Sequence, residues 1–312
     1  MLFLAFWLFT CYRMQKDRLS NLIHLQIIVF IYGFTAILGK LISIDSLPLV
    51  WYRMGLASLF ILVYIRFSKF TLRVNTKTLL WFTFAGIIVA LHWVTFFLAI
   101  KASTVSVALA MMSTGALFTA IIEPIVYNRK IVGYELLLGL LVILGLYLIF
   151  RVESNYVYGM IIALISSFLA AVFSIVNAQL VKKNRPSVIS FYELVIGTLF
   201  LTLLLSVTGG FTFEFFRLEV SDWWYLIVLS LVCTSYAFIA SVKIMRVLTA
   251  YTVMLTNNLE PVYGILLALV FFGSEEKMNS LFYVGALIIF ATVITNGILK
   301  HRASKKQSSP KG

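Results

Sequence analysis

The sequence predicts an all-α integral membrane protein of ten transmembrane helices, arranged as two inverted five-helix repeats. Three observations carry that expectation: the composition, the spacing of the apolar runs, and the alternation of charge between them. Of 312 residues, 62% are hydrophobic and 12% charged, whereas a soluble domain is roughly half apolar and a quarter charged. The surplus apolar residues therefore face hydrocarbon, which requires an apolar exterior and leaves charge to loops and interior sites.

A helix needs about 20 apolar residues to cross a bilayer. On that measure the first five spans fall near 22–43, 48–67, 77–99, 103–127 and 132–151. The second five fall near 157–181, 187–207, 222–245, 249–272 and 280–300. Pro48 and Pro186 open the second and seventh spans, where a missing N–H breaks no helical bond, and Gly209-Gly210 closes the seventh. The chain thus divides into an N-terminal cytoplasmic segment (1–21), repeats over 22–151 and 157–300, and a basic cytoplasmic tail (301–312). Residues 1–10 are apolar, too short to span, and followed by basic residues, the reverse of a signal peptide. They are either an interfacial segment or the result of a start assigned too early, with Met14 opening the chain.

The net charge of +13 comes from 25 Lys+Arg against 12 Asp+Glu. Cytoplasmic loops account for it, and no nucleic-acid recognition motif accompanies it. With the N-terminus in the cytoplasm, 19 of the 25 cations fall on the inner side, among them Lys69, Arg185, Arg246 and Arg302. The outer loops hold only Lys101, Arg151, Arg217 and Lys277, and gather acids such as Asp45, Glu219, Asp222, Glu275 and Glu276. This positive-inside pattern predicts a multi-pass protein of a bacterial-type inner or plasma membrane with both termini cytoplasmic. Cys11 and Cys233 stand in the N-terminal segment and in an apolar run, which offers neither a disulfide framework nor a metal cluster.

An internal repeat accounts for the two sets of five. Residues 52–62 (YRMGLASLFIL) and 192–202 (YELVIGTLFLT) match at three positions, and Gly139 and Gly285 stand at comparable points of the fifth helices. Because five is odd, the second copy enters the membrane upside down, an arrangement that puts a binding site near the midplane between the halves.

Tyr32-Gly33 with Lys40, Pro48 with Arg53, then Asn258-Leu259-Glu260-Pro261, Gly273-Ser274-Glu275 and Gly285 follow one another across the ten spans. In these residues the chain resembles the drug/metabolite transporter superfamily, EamA-like family, over about residues 22–300. The resemblance implies two repeats, a central cavity, and transport, often export, of amino acids or other small metabolites. In the fourth helix Gly115 stands where Pro261 stands in the ninth, which speaks against equivalent helix breaks in the two halves.

An ionisable group at mid-bilayer costs about 2.5–3.5 kcal/mol on insertion scales, so it needs a partner or a water-filled cavity. Glu260 falls near the centre of the ninth span, beside Pro261, which is expected to break the helix and free a carbonyl, and one turn after Asn257 and Asn258. Arg53 and Glu193 hold matching repeat positions, and Arg53 is suited to a substrate carboxylate or a structural acid. His92, Trp93 and Tyr236 fall near mid-membrane, and Ser113, Thr114 and Asn177 are further cavity candidates. Glu123 is expected at the cytoplasmic end, pairing with Arg129 or Lys130, and Ser166, Ala170, Ser174 and Ala178 form a small-residue line for helix packing.

The expected activity is secondary transport of a small-molecule substrate by alternating access, with protons as a candidate coupling ion. The expected assembly is a monomer or homodimer in a lipid bilayer, without cofactor, metal or nucleic acid. The alternatives are a membrane-embedded lipid-modifying enzyme and a lipid-linked sugar flippase. An enzyme needs a nucleophile and base, a metal cluster or a phosphate cradle, and the three histidines at 24, 92 and 301 are widely scattered.

Overall fold

The structure, a computed structural model, describes residues 2–126, 128, 133–248, 253, 256, 257 and 259–308. Among them every regular element is helical. The first half holds α1 (Leu2–Leu41), α2 (Ser46–Phe67), α3 (Thr76–Ala102), α4 (Val105–Met112), α5 (Gly115–Val126) and α6 (Gly133–Val152). The second holds α7 (Val157–Leu180), α8 (Pro186–Val207), the short α9 (Phe213–Phe216), α10 (Val220–Ser230), α11 (Ala237–Ile244), α12 (Glu260–Phe272) and α13 (Ser280–Ser308). Seven stretches are long and apolar enough to cross a membrane: 20–41, 46–67, 76–102, 105–126, 154–180, 186–207 and 220–244. The fifth, ninth and tenth expected spans fall on α6, α12 and α13, whose described apolar stretches are shorter.

Two of the crossings are broken, and their positions match. The ninth span does not run through Pro261 as a kinked helix. A new helix, α12, starts at Glu260, with Pro261 in its first turn, where proline costs no hydrogen bond. The fourth span is also broken, between α4 and α5, immediately before Gly115. That overturns the expectation of a break in one half alone. A search for proline misses it because hydroxyls take over the role. Ser113 donates to the Ala110 carbonyl at 2.6 Å and Thr114 to the Met111 carbonyl at 2.7 Å, satisfying acceptors that an interrupted helix leaves exposed to lipid or protein.

The inverted relation of the halves is visible where like helices cross. Trp51 Nε1 donates to Thr202 Oγ1 at 2.8 Å, and a Cβ on Gly55 would meet Thr198, so α2 and α8 run antiparallel. Continued in the same register, these contacts lead to Leu56 and Ile196, which are matched residues in the alignment of 52–62 with 192–202. A pseudo-two-fold axis in the membrane plane requires that. The fifth helices of the two halves, α6 and α13, also cross, and a Cβ on Gly145 would lie 2.9 Å from the Gly285 carbonyl. Side chains are excluded there, and the backbones approach as in small-residue membrane interfaces. Gly139, paired with Gly285 on sequence grounds, has open space around it instead.

The loops gather by charge at two ends. At the basic end, Arg246 donates to the Val181 and Asn184 carbonyls, Tyr192 donates to the Leu72 carbonyl, and Arg185 lies over Phe70. At the acidic end, Lys40 pairs with Glu275 and Glu276, Ser43 bonds Asp222, and Asn279 N donates to Glu153. Loops assigned to one side by charge alone thus touch one another. Glu276 itself is fully buried, so it is no reporter of sidedness. In a background lacking Cys11 and Cys233, Glu219→Cys and Lys277→Cys are expected to react with an impermeant thiol reagent on intact cells. Lys69→Cys and Arg185→Cys are expected to react only after permeabilisation. Labelling at 185 without labelling at 219 reverses the orientation.

Candidate functional site

A cavity of about 110 Å³ lies between the halves, beside the α12 start and bounded by α1, α2, α3, α7 and the α10–α11 span. That exceeds the roughly 10–15 Å³ one water needs on this measure, which leaves room for a small solute. Arg53 is 2% exposed. It enters from α2, its guanidinium carbon 3.8 Å from the centre of the Trp93 ring and its Nε donating to Thr234 Oγ1 at 2.7 Å. Its Nη1 is buried and has no hydrogen-bond partner. Glu260 and Asn257 line the same cavity from the broken ninth span. No ion pair joins Arg53 to Glu260; among the described residues the ion pairs are those of Lys40.

The partner of Arg53 is set by a local irregularity. Residues 231–236 form a π-helical turn between α10 and α11, in which Thr234 donates to the Leu229 carbonyl at 2.7 Å and Ser235 to that of Ser230 at 2.8 Å. One extra residue per turn shifts the helical phase by about 100°. Cys233 and Phe238 thereby line the cavity, while Tyr236 is 48% exposed and bonds His24 Nε2 at 2.8 Å. Tyr236 is thus corrected from cavity residue to exterior residue. An undistorted helix drawn from the sequence misplaces its phase.

His92 and Trp93 both line the cavity. His92 Nδ1 lies 3.0 Å from the Ser166 carbonyl and 2.9 Å from its hydroxyl, and that hydroxyl donates to the His92 carbonyl. The carbonyl can only accept, so this network assigns the ring proton to Nδ1 and leaves Nε2 as the acceptor. Ser166 of the small-residue line thus positions an imidazole, and Ala170 and Ser174 line the cavity.

Four other expectations separate from the site. Glu193 is fully buried, with Oε1 accepting from Asn177 Nδ2 at 3.0 Å, so this acid and amide bond each other between α7 and α8, outside the cavity, while Glu193 Oε2 and Asn177 Oδ1 stay buried without a partner. Ser113 and Thr114 serve the α4–α5 break, with Thr114 also bonded to Ser167 at 3.0 Å. Glu123 is 7% exposed and stands about one turn before the end of α5. Asn258, Arg129 and Lys130 lie outside the described residues. Sequence reasoning missed Tyr32, Thr35 and Ser241 on the cavity wall, and Thr234 behind it. The run Cys233-Thr234-Ser235 within an apolar span was the available signal for the last.

At the acidic end buried polar contacts tie the elements together, and none of the residues that make them lines the cavity. Glu276 accepts from Lys40 Nζ at 3.0 Å and from the backbone N–H groups of Val105 at 3.0 Å and Ser106 at 2.9 Å, tying α1 and the first turn of α4 to the loop after α12. Asp222 accepts from the Ser43 amide at 2.9 Å, and Trp51, Phe211 and Phe215 pack edge-on beside it. Toward the basic end the cavity continues as far as Ser241 and Met245.

The EamA-like transporter family matches this chain twice, over residues 20–151 and 157–297, one match to each half. An uncharacterized transporter of Archaeoglobus fulgidus is 22% identical over 297 residues, spanning 92% of this chain and all of that protein. A crystal structure with 14% sequence identity shares the fold at a TM-score of 0.65, over 90% of this chain and 98% of the other. With both halves matched and a polar cavity between them, this chain belongs to the EamA-like transporter family and is a membrane transporter.

Proposed function

We propose that the protein is a secondary transporter of small zwitterionic metabolites, amino acids first among them, working by alternating access through the cavity between its halves. The carrying observation is the buried Arg53, with Nη1 unpartnered, in one cavity with Glu260 and not ion-paired to it. A buried guanidinium favours a carboxylate, which its planar fork can bind bidentately. Glu260 is then the partner of the substrate ammonium, or of a coupling proton when that site is empty. Trp93, Phe96, Phe173 and Phe238 offer an apolar surface to a side chain. Elements tied together at the acidic end, with the cavity reaching toward the basic end, fit one of two alternating states; with the basic end in the cytoplasm, that state faces inward.

The test is flux of labelled L-amino acids into proteoliposomes, assayed one at a time over a range of pH with wild type and Glu260→Gln. Glutamine keeps the shape and removes the titration. The variant is expected to insert normally, lose at least about tenfold in flux, and lose the pH dependence of what remains. Equal flux at every pH, at equal protein, removes Glu260 from the mechanism.

A further inference from the structure

A second cleft, of about 590 Å³, opens on the other side of α3 and shares no lining residue with the central cavity. It lies between α3, α5 and α7, at the basic end. Its walls are apolar: Trp81, Phe84, Ile122, Val126, Val172 and Val176. Its polar lining, by contrast, is confined to the mouth, with Asn75, Lys77 and Thr78 at the α3 start and Gln179, Lys183 and Asn184 at the α7 end. From Asn75 to Phe84 the helix descends about 14 Å at 1.5 Å per residue. That is about half of the roughly 30 Å hydrocarbon thickness, the depth of one leaflet.

Charge identifies the occupant. Lys77 and Lys183 are exposed at the mouth and take part in no ion pair among the described residues. Glu123, the acid nearest the wall in sequence, is buried. Trp81 is 49% exposed one turn below Lys77, a depth at which indoles favour the headgroup boundary. Apolar depth of one leaflet beneath two free ammonium groups complements a molecule with one anionic head and an aliphatic tail. We infer that this cleft binds an anionic phospholipid of the adjoining leaflet, its phosphate between Lys77 and Lys183 and an acyl chain along the α3–α5–α7 walls. A helix from a second copy of the chain would cover the walls and leave both lysines uncompensated.

The full-length protein, stripped of lipid in mild detergent, is titrated with phosphatidylglycerol and with phosphatidylcholine of the same acyl chains, and bound lipid is counted by native mass spectrometry. Phosphatidylglycerol is expected to bind at least about tenfold more tightly. Each lysine should contribute about fivefold, so Lys77→Gln/Lys183→Gln should bring the two lipids close to parity. Lys182 is bonded to Gln179 at 2.9 Å and does not line the cleft; Lys182→Gln should change the ratio less than twofold and separates this site from general surface charge. Val176→Trp fills the cleft and should remove binding of both lipids, and glycerol phosphate, which has the head and no tail, should not compete. Parity of the two lipids in the wild type overturns the assignment. So does an unchanged ratio in the double lysine variant, an equal loss with Lys182→Gln, displacement by glycerol phosphate, or a dimer that Val176→Trp dissociates.

Discussion

Arg53→Met is expected to abolish carrier-mediated flux, lowering apparent substrate affinity by about one and a half to three and a half orders of magnitude. Removing one member of a buried, hydrogen-bonded charge pair costs about 2–5 kcal/mol, and each 1.4 kcal/mol is tenfold in affinity. Methionine retains much of the volume and some of the contact with Trp93, so what is deleted is the guanidinium, its bond to Thr234 and the unpartnered Nη1. Arg53→Lys is expected to fail almost as completely, because an ammonium keeps the charge without the planar fork or the face that stacks on the indole. Tyr236→Phe alters a residue of the neighbouring span that lies outside the cavity. It should leave flux within about twofold. Binding by thermal shift, together with flux in proteoliposomes, reads all three. Wild-type affinity in Arg53→Met, at normal insertion, removes Arg53 from substrate binding.

Glu276→Gln is expected to open the acidic end. The fully buried carboxylate collects Lys40 and two first-turn amides of α4, so its two oxygens hold three elements together. Glutamine retains one acceptor, adds a donor facing donors, and leaves Lys40 with only Glu275, which is 72% exposed, at 3.3 Å. Removing one partner of a buried ion pair destabilises by about 3–5 kcal/mol. If that cost falls on the closed state, the equilibrium between closed and open moves by about two orders of magnitude or more. Cys233 reports the change, since it lines the cavity and is 1% exposed. In a Cys11→Ser background its labelling by an impermeant reagent added at the acidic face should rise at least about tenfold in Glu276→Gln. Unchanged labelling in a folded variant makes the Glu276 network a structural staple and not a gate.

Much of the architecture is legible in the sequence because the bilayer simplifies the physics. Hydrocarbon sets the length of an apolar run, and the orientation rule sets which loops carry Lys and Arg, so runs and charges can be read one after another. The loops so assigned do meet: Glu153 with Asn279 at one end, Arg246 with Asn184 at the other. Arg53, Glu260 and His92 were also legible, because an ionisable group deep in an apolar run demands an explanation wherever it points.

Which polar residues face one another was not legible. In a soluble helix the apolar stripe shows which side turns inward, but here lipid and protein interior are equally apolar, and the pattern no longer fixes rotation about the helix axis. A π turn then moved Tyr236 outward and left Thr234 under Arg53, and a mutual bond drew Asn177 and Glu193 away from the cavity. Ser113 and Thr114 broke the fourth span without a proline. By itself the sequence determined the membrane setting, the two halves and the charged ends, since these follow from transfer free energies that add residue by residue. Only the tertiary structure decided that Arg53 and Glu260 share a cavity, because helix phase depends on packing and side-chain hydrogen bonds between segments distant in the chain.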